Sequence, residues 1–216
     1  MRKENINKEW LFGRFGQEEM QAIDLPHDAM IHEKRDPNAD NGGATGFLPG
    51  GKYVYVKELI GLPEYEGKKL ILEFEGIYMD SSVFLNGEQV GGRLYGYSNF
   101  FVDITGKLNE GSNELKVIVD NSVTPNSRWY SGSGIYRDVN LWIGEPTCIT
   151  PEGIKVKTLS IDPAVVLVTV NAEKIEGKEV RLTVLSGKNI SPATKPLSAP
   201  TRTGITTAAT FMCISS

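Results

Sequence analysis

The segment Val83-Phe-Leu-Asn86-Gly87-Glu-Gln-Val90 places an Asn-Gly dipeptide between two short apolar runs. Both turn residues tolerate a positive φ angle, so this dipeptide is the strongest short-range signal for a two-residue β-hairpin. Apolar and polar residues also alternate elsewhere in the chain, which is typical of strands with one buried face. The alternation occurs in residues 70–74, 113–119 and 139–143, and residues 53–60 are rich in β-branched and aromatic residues.

No stretch shows the 3.6-residue period of an amphipathic helix. Within residues 69–74, Leu70, Leu72 and Phe74 alternate with a mostly polar face, which predicts a strand that is buried on one side only. Many short strands separated by turn residues indicate a β-sandwich or a jelly roll. We therefore predict an all-β chain that begins with a jelly-roll β-sandwich.

Composition excludes several classes of function. The 216 residues carry 23 basic and 27 acidic side chains, a net charge of −4. This balance counts against a nucleic-acid surface and against polybasic attachment to a membrane. No run approaches the ~18 apolar residues that span a bilayer. We therefore expect neither nucleic acid nor a membrane as a partner.

Cysteine and histidine are also scarce. Cys148 and Cys213 are too few for a disulfide framework. With only two histidines and no Cys-x-x-Cys motif, a zinc site is not expected. The first ten residues lack the apolar core of a secretory signal. Together these features predict a cytoplasmic chain.

A domain boundary is predicted near residues 144–151, where Pro146 and Pro151 follow a strand. The first domain then covers residues 1–146. Strand-like runs at 153–159, 164–170 and 179–185 predict a second sandwich of immunoglobulin type in residues 152–216. Such a domain needs about seven strands and ~100 residues, so we expect it to be incomplete.

The end of the chain differs in composition from the rest. No acidic residue follows Glu179, and residues 190–210 are rich in Ser, Thr, Pro and Ala without clean alternation. This predicts an irregular tail from about residue 190. The tail is interpreted either as a linker or crossing loop, or as sequence that is not native to the second domain.

Residues 126–138 stand out as a candidate binding segment. They hold two Arg, two Tyr, one Trp and one Asp in a glycine-rich stretch that leads into a strand. Arginine forks and carboxylates suit sugar hydroxyls, and aromatic faces suit the C–H face of a pyranose. In the structural alternative, Arg137 and Asp138 form ion pairs while Trp129 and Tyr136 fill the core. Composition alone leaves both interpretations open.

Two other motifs are interpreted as structural. Asp24-Leu-Pro-His27-Asp28 contains a His and an Asp, but no nucleophile accompanies them, so a structural turn is predicted. The glycine-rich stretch 42–51 precedes no helix whose N-terminus could hold a phosphate, so a close-packed loop is predicted. Spacing selects no catalytic pair from the acidic residues.

These motifs together resemble the amino-terminal part of a family 2 glycoside hydrolase, of the β-galactosidase and β-glucuronidase type. The resemblance covers about residues 10–143 and follows the family's order. It rests on residues 24–28, 46–51, 74–81, 83–87, 96–97, 101–105 and 128–139. The Arg128-Trp-Tyr-Ser-Gly132 form is more similar to the β-galactosidase branch.

The resemblance implies a jelly-roll sugar-binding domain followed by an immunoglobulin-like domain. In the family, a (β/α)₈ barrel of about 250 residues carries both catalytic glutamates, and no residue of this chain matches it. We therefore expect a fragment of a β-galactosidase acting on terminal β-galactosides, inactive alone, with the missing barrel as its partner. The parent enzyme is expected to be a homo-oligomer.

The resemblance assigns no catalytic residue and no cofactor to this chain. It implies that Arg128 holds the terminal sugar and that Asp138 lies near the sugar and a cation that the parent can bind. With Trp129 as an aromatic contact, the candidate substrate-binding residues are Arg128, Trp129 and Asp138.

Three alternatives remain open at this point. One is a stand-alone carbohydrate-binding module that uses Arg128, Trp129 and Tyr130 as its platform. Another is a fragment of a β-glucuronidase or of a different β-glycosidase. The third is an interaction module whose jelly roll serves assembly of the parent oligomer.

Overall fold

The computed structural model describes residues 1–40, 42–123, 132–161, 165–175, 179–186, 189–196 and 206–212. Within these ranges the regular structure consists of β-strands and three short 3₁₀ helices, which confirms the predicted all-β fold. The chain divides into two compact units, residues 2–143 and residues 144–216, the second of which also includes Met1.

The first unit contains ten strands. They are β1 (Arg2–Asn5), β2 (Trp10–Arg14), β3 (Gln21–Ile23), β4 (Gly51–Gly61), β5 (Lys69–Phe74), β6 (Ser81–Leu85), β7 (Glu88–Arg93), β8 (Phe100–Asp103), β9 (Gly111–Asn121) and β10 (Val139–Gly144). Single-turn 3₁₀ helices occupy Met30–His32, Gly42–Thr45 and Pro63–Tyr65.

Two sheets face each other in this unit. One has six strands in the order β3-β2-β4-β9-β6-β7, and the other has four in the order β1-β10-β5-β8. Their inner faces form one apolar core that includes Trp10, Tyr55, Leu72, Phe74 and Val117. Burying a large apolar side chain contributes about 1.5–3 kcal/mol, so this core supplies most of the stability that positions the loops.

The predicted hairpin is confirmed. Leu85 of β6 pairs with Glu88 of β7, and the two residues between them, Asn86 and Gly87, have φ angles of 50° and 83°. These positive angles are those of the turn that Asn-Gly favours.

Strand β5 differs from its prediction. All six residues of β5 are buried, including the polar ones. The side chain of Glu73 accepts a hydrogen bond from Trp142 Nε1 at 2.9 Å and forms an ion pair with Lys3 Nζ at 2.9 Å. The face predicted to meet solvent is therefore covered by long side chains from the adjacent strand β10 and from β1 beyond it.

The second unit contains β11 (Cys148–Ser160), β12 (Val165–Glu173), β13 (Glu179–Ser186), β14 (Asn189–Pro196) and β15 (Thr206–Met212). They form an antiparallel sheet in the order β11-β12-β15 and a separate hairpin of β13 and β14. Pro151 lies inside β11, where the pairing with β12 shifts its register between Ile149 and Ile154. The strand therefore begins within the boundary region predicted at residues 144–151. A bulge tolerates proline because no ladder hydrogen bond is required there.

The irregular tail predicted from about residue 190 is corrected by the structure. Residues 189–196 and 206–212 are strands that pair with β13 and β12, respectively. Pairing depends on backbone hydrogen bonds, which Ser-, Thr- and Ala-rich segments make without apolar alternation. Pro192 and Pro196 are accommodated because β14 pairs with β13 alone among the described strands. The immunoglobulin-like class of this unit stays a prediction.

Candidate functional site

Four segments meet at one end of the first sandwich, which we call the loop end: residues 24–32, 76–80, 94–98 and 132–138. Residues 132–138 lie at its centre. The amide of His27 donates to the carbonyl of Ile135 at 2.9 Å, and Tyr78 and Gly134 exchange two backbone hydrogen bonds of 2.9 and 2.7 Å. The hydroxyl of Tyr136 donates to the carbonyl of Gly96 at 2.8 Å. The described part of the candidate segment is therefore held by the other three segments.

The candidate residues are only partly described. Arg128 and Trp129 lie outside the described residues, so their roles stay predictions. Asp138 is half-buried, and its Oδ1 accepts a hydrogen bond from Asn7 Nδ2 at 2.8 Å. The Oδ1 of Asn7 in turn accepts from the amide of Val139 at 2.8 Å. Asn7 thus fixes the carboxylate of Asp138 at the start of β10.

Among the described residues, Arg137 and Asp138 do not form the ion pairs that the structural alternative assigns to them. Arg137 is exposed, and its guanidinium carbon lies 5.6 Å from the centre of the Tyr136 ring. This is a cation–π distance. Tyr136 is half-buried, and burial raises the pKa of its hydroxyl. The phenol therefore stays protonated and keeps its hydrogen bond to Gly96.

Asp28 fixes one end of the candidate segment. Its Oδ1 accepts from the backbone amides of Met30 and Ser133, both at 3.0 Å. The amide of Ala29 donates to the carbonyl of Ser133 at 2.7 Å. Residues 24–28 thus form the structural turn that the sequence predicts, and this turn also anchors the candidate segment.

Asn121 holds the same position from the other side. It is the last residue of β9, it is buried, and its Nδ2 donates to Ser133 Oγ at 2.6 Å. Because Asn121 and Ser133 flank residues 122–132, they join the two ends of the stretch that contains Arg128 and Trp129. Sequence reasoning missed Asn121, although it continues the inward positions of β9 and is a polar residue on an apolar face.

His27 is packed as an interior residue of the loop end. Its Nδ1 lies 2.9 Å from the hydroxyl of Tyr55, and its ring lies 4.4 Å from that of Phe12. Its Nε2 is buried and has no hydrogen-bond partner within the part of the chain that the structure describes. Burial, with a smaller contribution from His32, lowers the pKa of His27, so the ring is neutral. Burial also raises the pKa of Tyr55, which keeps its proton for this contact.

Asp138 is the residue of the loop end that the family resemblance places near a cation. Asp138 uses Oδ1 to accept from Asn7 Nδ2. Among the described residues, no three His, Cys, Asp or Glu side chains lie close enough to hold a metal ion. Hard cations bind six or more oxygen atoms. A cation near Asp138 would therefore need further oxygen ligands beside this carboxylate.

Two further features lie away from these residues. A cavity of about 390 Å³ lies at the opposite end of the first sandwich, where Leu62, Tyr65, Leu70 and Leu108 contribute to its lining. It includes none of the candidate residues. In the described ranges, no helix is long and apolar enough to cross a membrane.

The paired sheets, the single apolar core and the anchored segment ahead of β10 define a β-sandwich domain of the galactose-binding-like class. Residues 25–146 match the family described as "Glycosyl hydrolase 2 galactose-binding domain-like". The chain therefore belongs to glycoside hydrolase family 2, which confirms the resemblance found in the sequence.

The chain is similar in sequence to proteins named as β-galactosidases and β-glucuronidases. The chain is 41% identical to β-galactosidase BoGH2A of Bacteroides ovatus over 151 residues, which covers 68% of this chain and 18% of that protein. It is 31% identical to a β-glucuronidase of Bacteroides fragilis over 157 residues, covering 68% and 21%. A crystal structure of a β-glycosidase from Bacteroides vulgatus has a TM-score of 0.78 at 27% identity and covers 98% of this chain and 29% of that one. The chain thus spans about a fifth of the length of these curated relatives.

Proposed function

We propose that this chain is the amino-terminal, non-catalytic part of a family 2 glycoside hydrolase that acts on terminal β-galactosides. The observation that carries the proposal is the 41% identity to a protein named as a β-galactosidase, of which the match covers 18%. The identity to a protein named as a β-glucuronidase is 31% over a similar length. The Arg-Trp-Tyr-Ser-Gly motif at residues 128–132 supports the same preference.

In this proposal the bond-breaking groups belong to another part of the enzyme. A retaining glycosidase uses two carboxyl groups about 5–5.5 Å apart, one to protonate the glycosidic oxygen and one to attack the anomeric carbon. The role of this chain is to place polar groups beside the sugar. Arg128 would donate to sugar hydroxyls, and Asp138, oriented by Asn7, would accept from one through Oδ2. Asp28 and Asn121 would hold the segment in place.

The test is to express the complete reading frame that contains these 216 codons and to assay its product on chromogenic β-galactosides and β-glucuronides. We expect the product to hydrolyse the β-galactoside at least about tenfold faster, a difference of about 1.4 kcal/mol in transition-state binding. The purified 216-residue chain is the control and should be inactive. A preference for the β-glucuronide, or activity of the 216-residue chain after removal of host enzymes, would contradict the proposal.

A cytoplasmic location and self-assembly of the parent enzyme belong to the same proposal. The location is supported by the scarcity of cysteine, because reducing compartments do not favour disulfide frameworks. Cell fractionation tests the location, and sedimentation of the complete product tests its oligomeric state.

A further inference from the structure

The loop between β7 and β8 exposes aromatic rings at the loop end. Leu94, Tyr95 and Tyr97 are 72%, 61% and 52% exposed. The rings of Tyr95 and Tyr97 are inclined at 64° to each other, with centres 5.8 Å apart. Three large, largely exposed side chains within four residues form a concentrated apolar surface, and such surfaces mark sites of interaction.

This loop is held in place by its surroundings. The carbonyl of Gly96 accepts from the hydroxyl of Tyr136, and the carbonyl of Leu94 accepts from the amide of Asp80 at 3.2 Å. The ring of Tyr97 lies 5.1 Å from that of the buried Tyr78. A side chain at position 96 would collide with the Tyr78 ring. Because the loop is already fixed, little conformational entropy is lost when a ligand binds.

A hydrogen-bond donor lies next to the rings. Arg137 is exposed, and its guanidinium sits over the ring of Tyr136, whose hydroxyl binds the same loop. A guanidinium offers five N–H donors to sugar hydroxyls. An aromatic face beside such donors suits a pyranose, which has an apolar C–H face and a rim of hydroxyls.

The surface is linked along the chain to Asp138, the described member of the proposed sugar site, because Arg137 is the residue before it. Tyr136 and Arg137 belong to the segment 126–138 that also contains Arg128 and Trp129. The Tyr136–Gly96 hydrogen bond connects this segment directly to the exposed loop. This continuity favours a sugar over an unrelated protein as the occupant.

We propose that Tyr95, Tyr97 and Arg137 form a platform for a further sugar unit of an oligosaccharide. This inference rests on the proposed function, because the terminal sugar of the same oligosaccharide is assigned to Arg128 and Trp129. The ligand class is a β-linked galacto-oligosaccharide. The chain binds it more tightly than it binds galactose, since the longer ligand gains the ring contacts of the platform.

Calorimetric titration of the complete 216-residue chain with galactose and with β-1,4-galactotetraose tests the platform. We expect Tyr95→Ala and Tyr97→Ala each to weaken tetraose binding by about three- to tenfold, as expected for the loss of one ring contact. Galactose binding should not change. Tyr97→Phe should bind tetraose like the wild type, because stacking does not need the hydroxyl. Ile60→Ala, an exposed apolar change on β4 far from the loop end, is the matched control.

Circular dichroism melting shows whether each variant is folded. If Tyr97→Ala does not fold, Tyr95→Ala still tests the platform, because Tyr95 is the more exposed ring. Unchanged tetraose affinity in the folded tyrosine variants overturns the platform. The platform is also overturned if the wild-type chain binds neither glycan. The same holds if sedimentation shows that the chain self-associates through Tyr95 and Tyr97. These outcomes leave the proposed function intact, since that stands or falls on hydrolysis by the complete product.

Discussion

The two ends of the first sandwich are each held by an asparagine of the same strand. Asn113 and Asn121 both point inward from β9 and are 1% and 3% exposed. Asn113 binds the turns of the opposite end, including Asn109 and Gly111, whereas Asn121 binds Ser133 beside the candidate segment. The residue type is therefore no guide to function at these positions. What distinguishes the two is the segment to which each amide is bonded.

The largest effect is expected at the opposite end. Asn113 donates to the carbonyls of Asn109 and Gly111 and accepts from the amide of Asn109 and from Asn86 Nδ2, at 2.8–2.9 Å. Asn113→Ala removes these four hydrogen bonds of a buried side chain, which hold the turns of the opposite end. We expect a loss of about 3 kcal/mol in the free energy of unfolding, measured by urea denaturation.

If the two ends are separate, this loss of stability at the opposite end should not change sugar binding at the loop end. Folded Asn113→Ala should bind galacto-oligosaccharides as the wild type does. A variant that keeps its stability, or that loses binding while folded, would show that the two ends are not separate.

A smaller loss of stability is expected at Asn121. Asn121→Ala removes the 2.6 Å bond to Ser133 Oγ, and Ser133 keeps its backbone bonds to Asp28 and Ala29. We expect a decrease of about 1–2 kcal/mol in the free energy of unfolding. Here sugar binding should weaken as well, because Ser133 of the candidate segment loses this contact. Calorimetric titration of Asn121→Ala and Asn113→Ala in parallel separates the effect on stability from the effect on sugar binding. Equal sugar affinity of the two variants would contradict the proposed difference between the two ends.

The contrast between the two asparagines also shows what sequence can predict. Alternation along β9 and the Asn-Gly turn predict the strands and their inner faces, because both are local properties. The burial of Glu73 is not local, since it depends on Lys3 and Trp142 from other strands. The pairing of β14 and β15 depends in the same way on distant backbone partners.

At the site, the segment 126–138 could be selected from composition, but its anchors could not. Asp28 lies 105 residues before Ser133, and Asn7 lies 131 residues before Asp138. Tyr95 carries no signal in the sequence beyond its residue type, because its exposure is a property of the folded loop. The roles of Arg128 and Trp129 stay predictions that the binding experiments address.

The two ends should also differ in their response to pH. Both histidines of the chain, His27 and His32, lie at the loop end. Burial lowers the pKa of His27, so the unfolded chain binds more protons near pH 6 than the folded chain. The stability that the neutral His27 ring contributes is present above the pKa of about 6.5 that histidine has in the unfolded chain. It is lost as the pH falls through that value toward the lower pKa of the folded state.

Urea denaturation between about pH 7.5 and about pH 5.5 measures this response. We expect the wild type to lose stability across the range and His27→Gln to lose less. His32→Gln, a change at an exposed ring, should keep most of the dependence because burial is the main cause of the shift at His27. An unchanged slope in His27→Gln would assign the response to other groups.

The smallest effect is expected for a charged pair at the opposite end. Lys107 Nζ lies 2.7 Å from Glu88 Oε1, and the two side chains are 38% and 68% exposed. Exposed pairs of this kind contribute about 0.2–1 kcal/mol, because water and salt screen the charges. Glu88→Gln should therefore change the free energy of unfolding by less than about 0.5 kcal/mol, and by less still at high salt.

The pair of Lys52 and Asp120 at the loop end provides the matched comparison. Asp120 also accepts from the amide of Ser122 at 3.1 Å, so its carboxylate fixes the first residue after β9. Burial opposes ionisation of Asp120, but the hydrogen bonds from Ser122 and the charge of Lys52 outweigh it and lower the pKa of the carboxyl group. Asp120→Asn should therefore cost more stability than Glu88→Gln at neutral pH, and the difference should shrink as the pH falls below the unfolded pKa of about 3.9. Equal effects of the two substitutions at neutral pH would mean that the loop end is anchored by its buried amides alone.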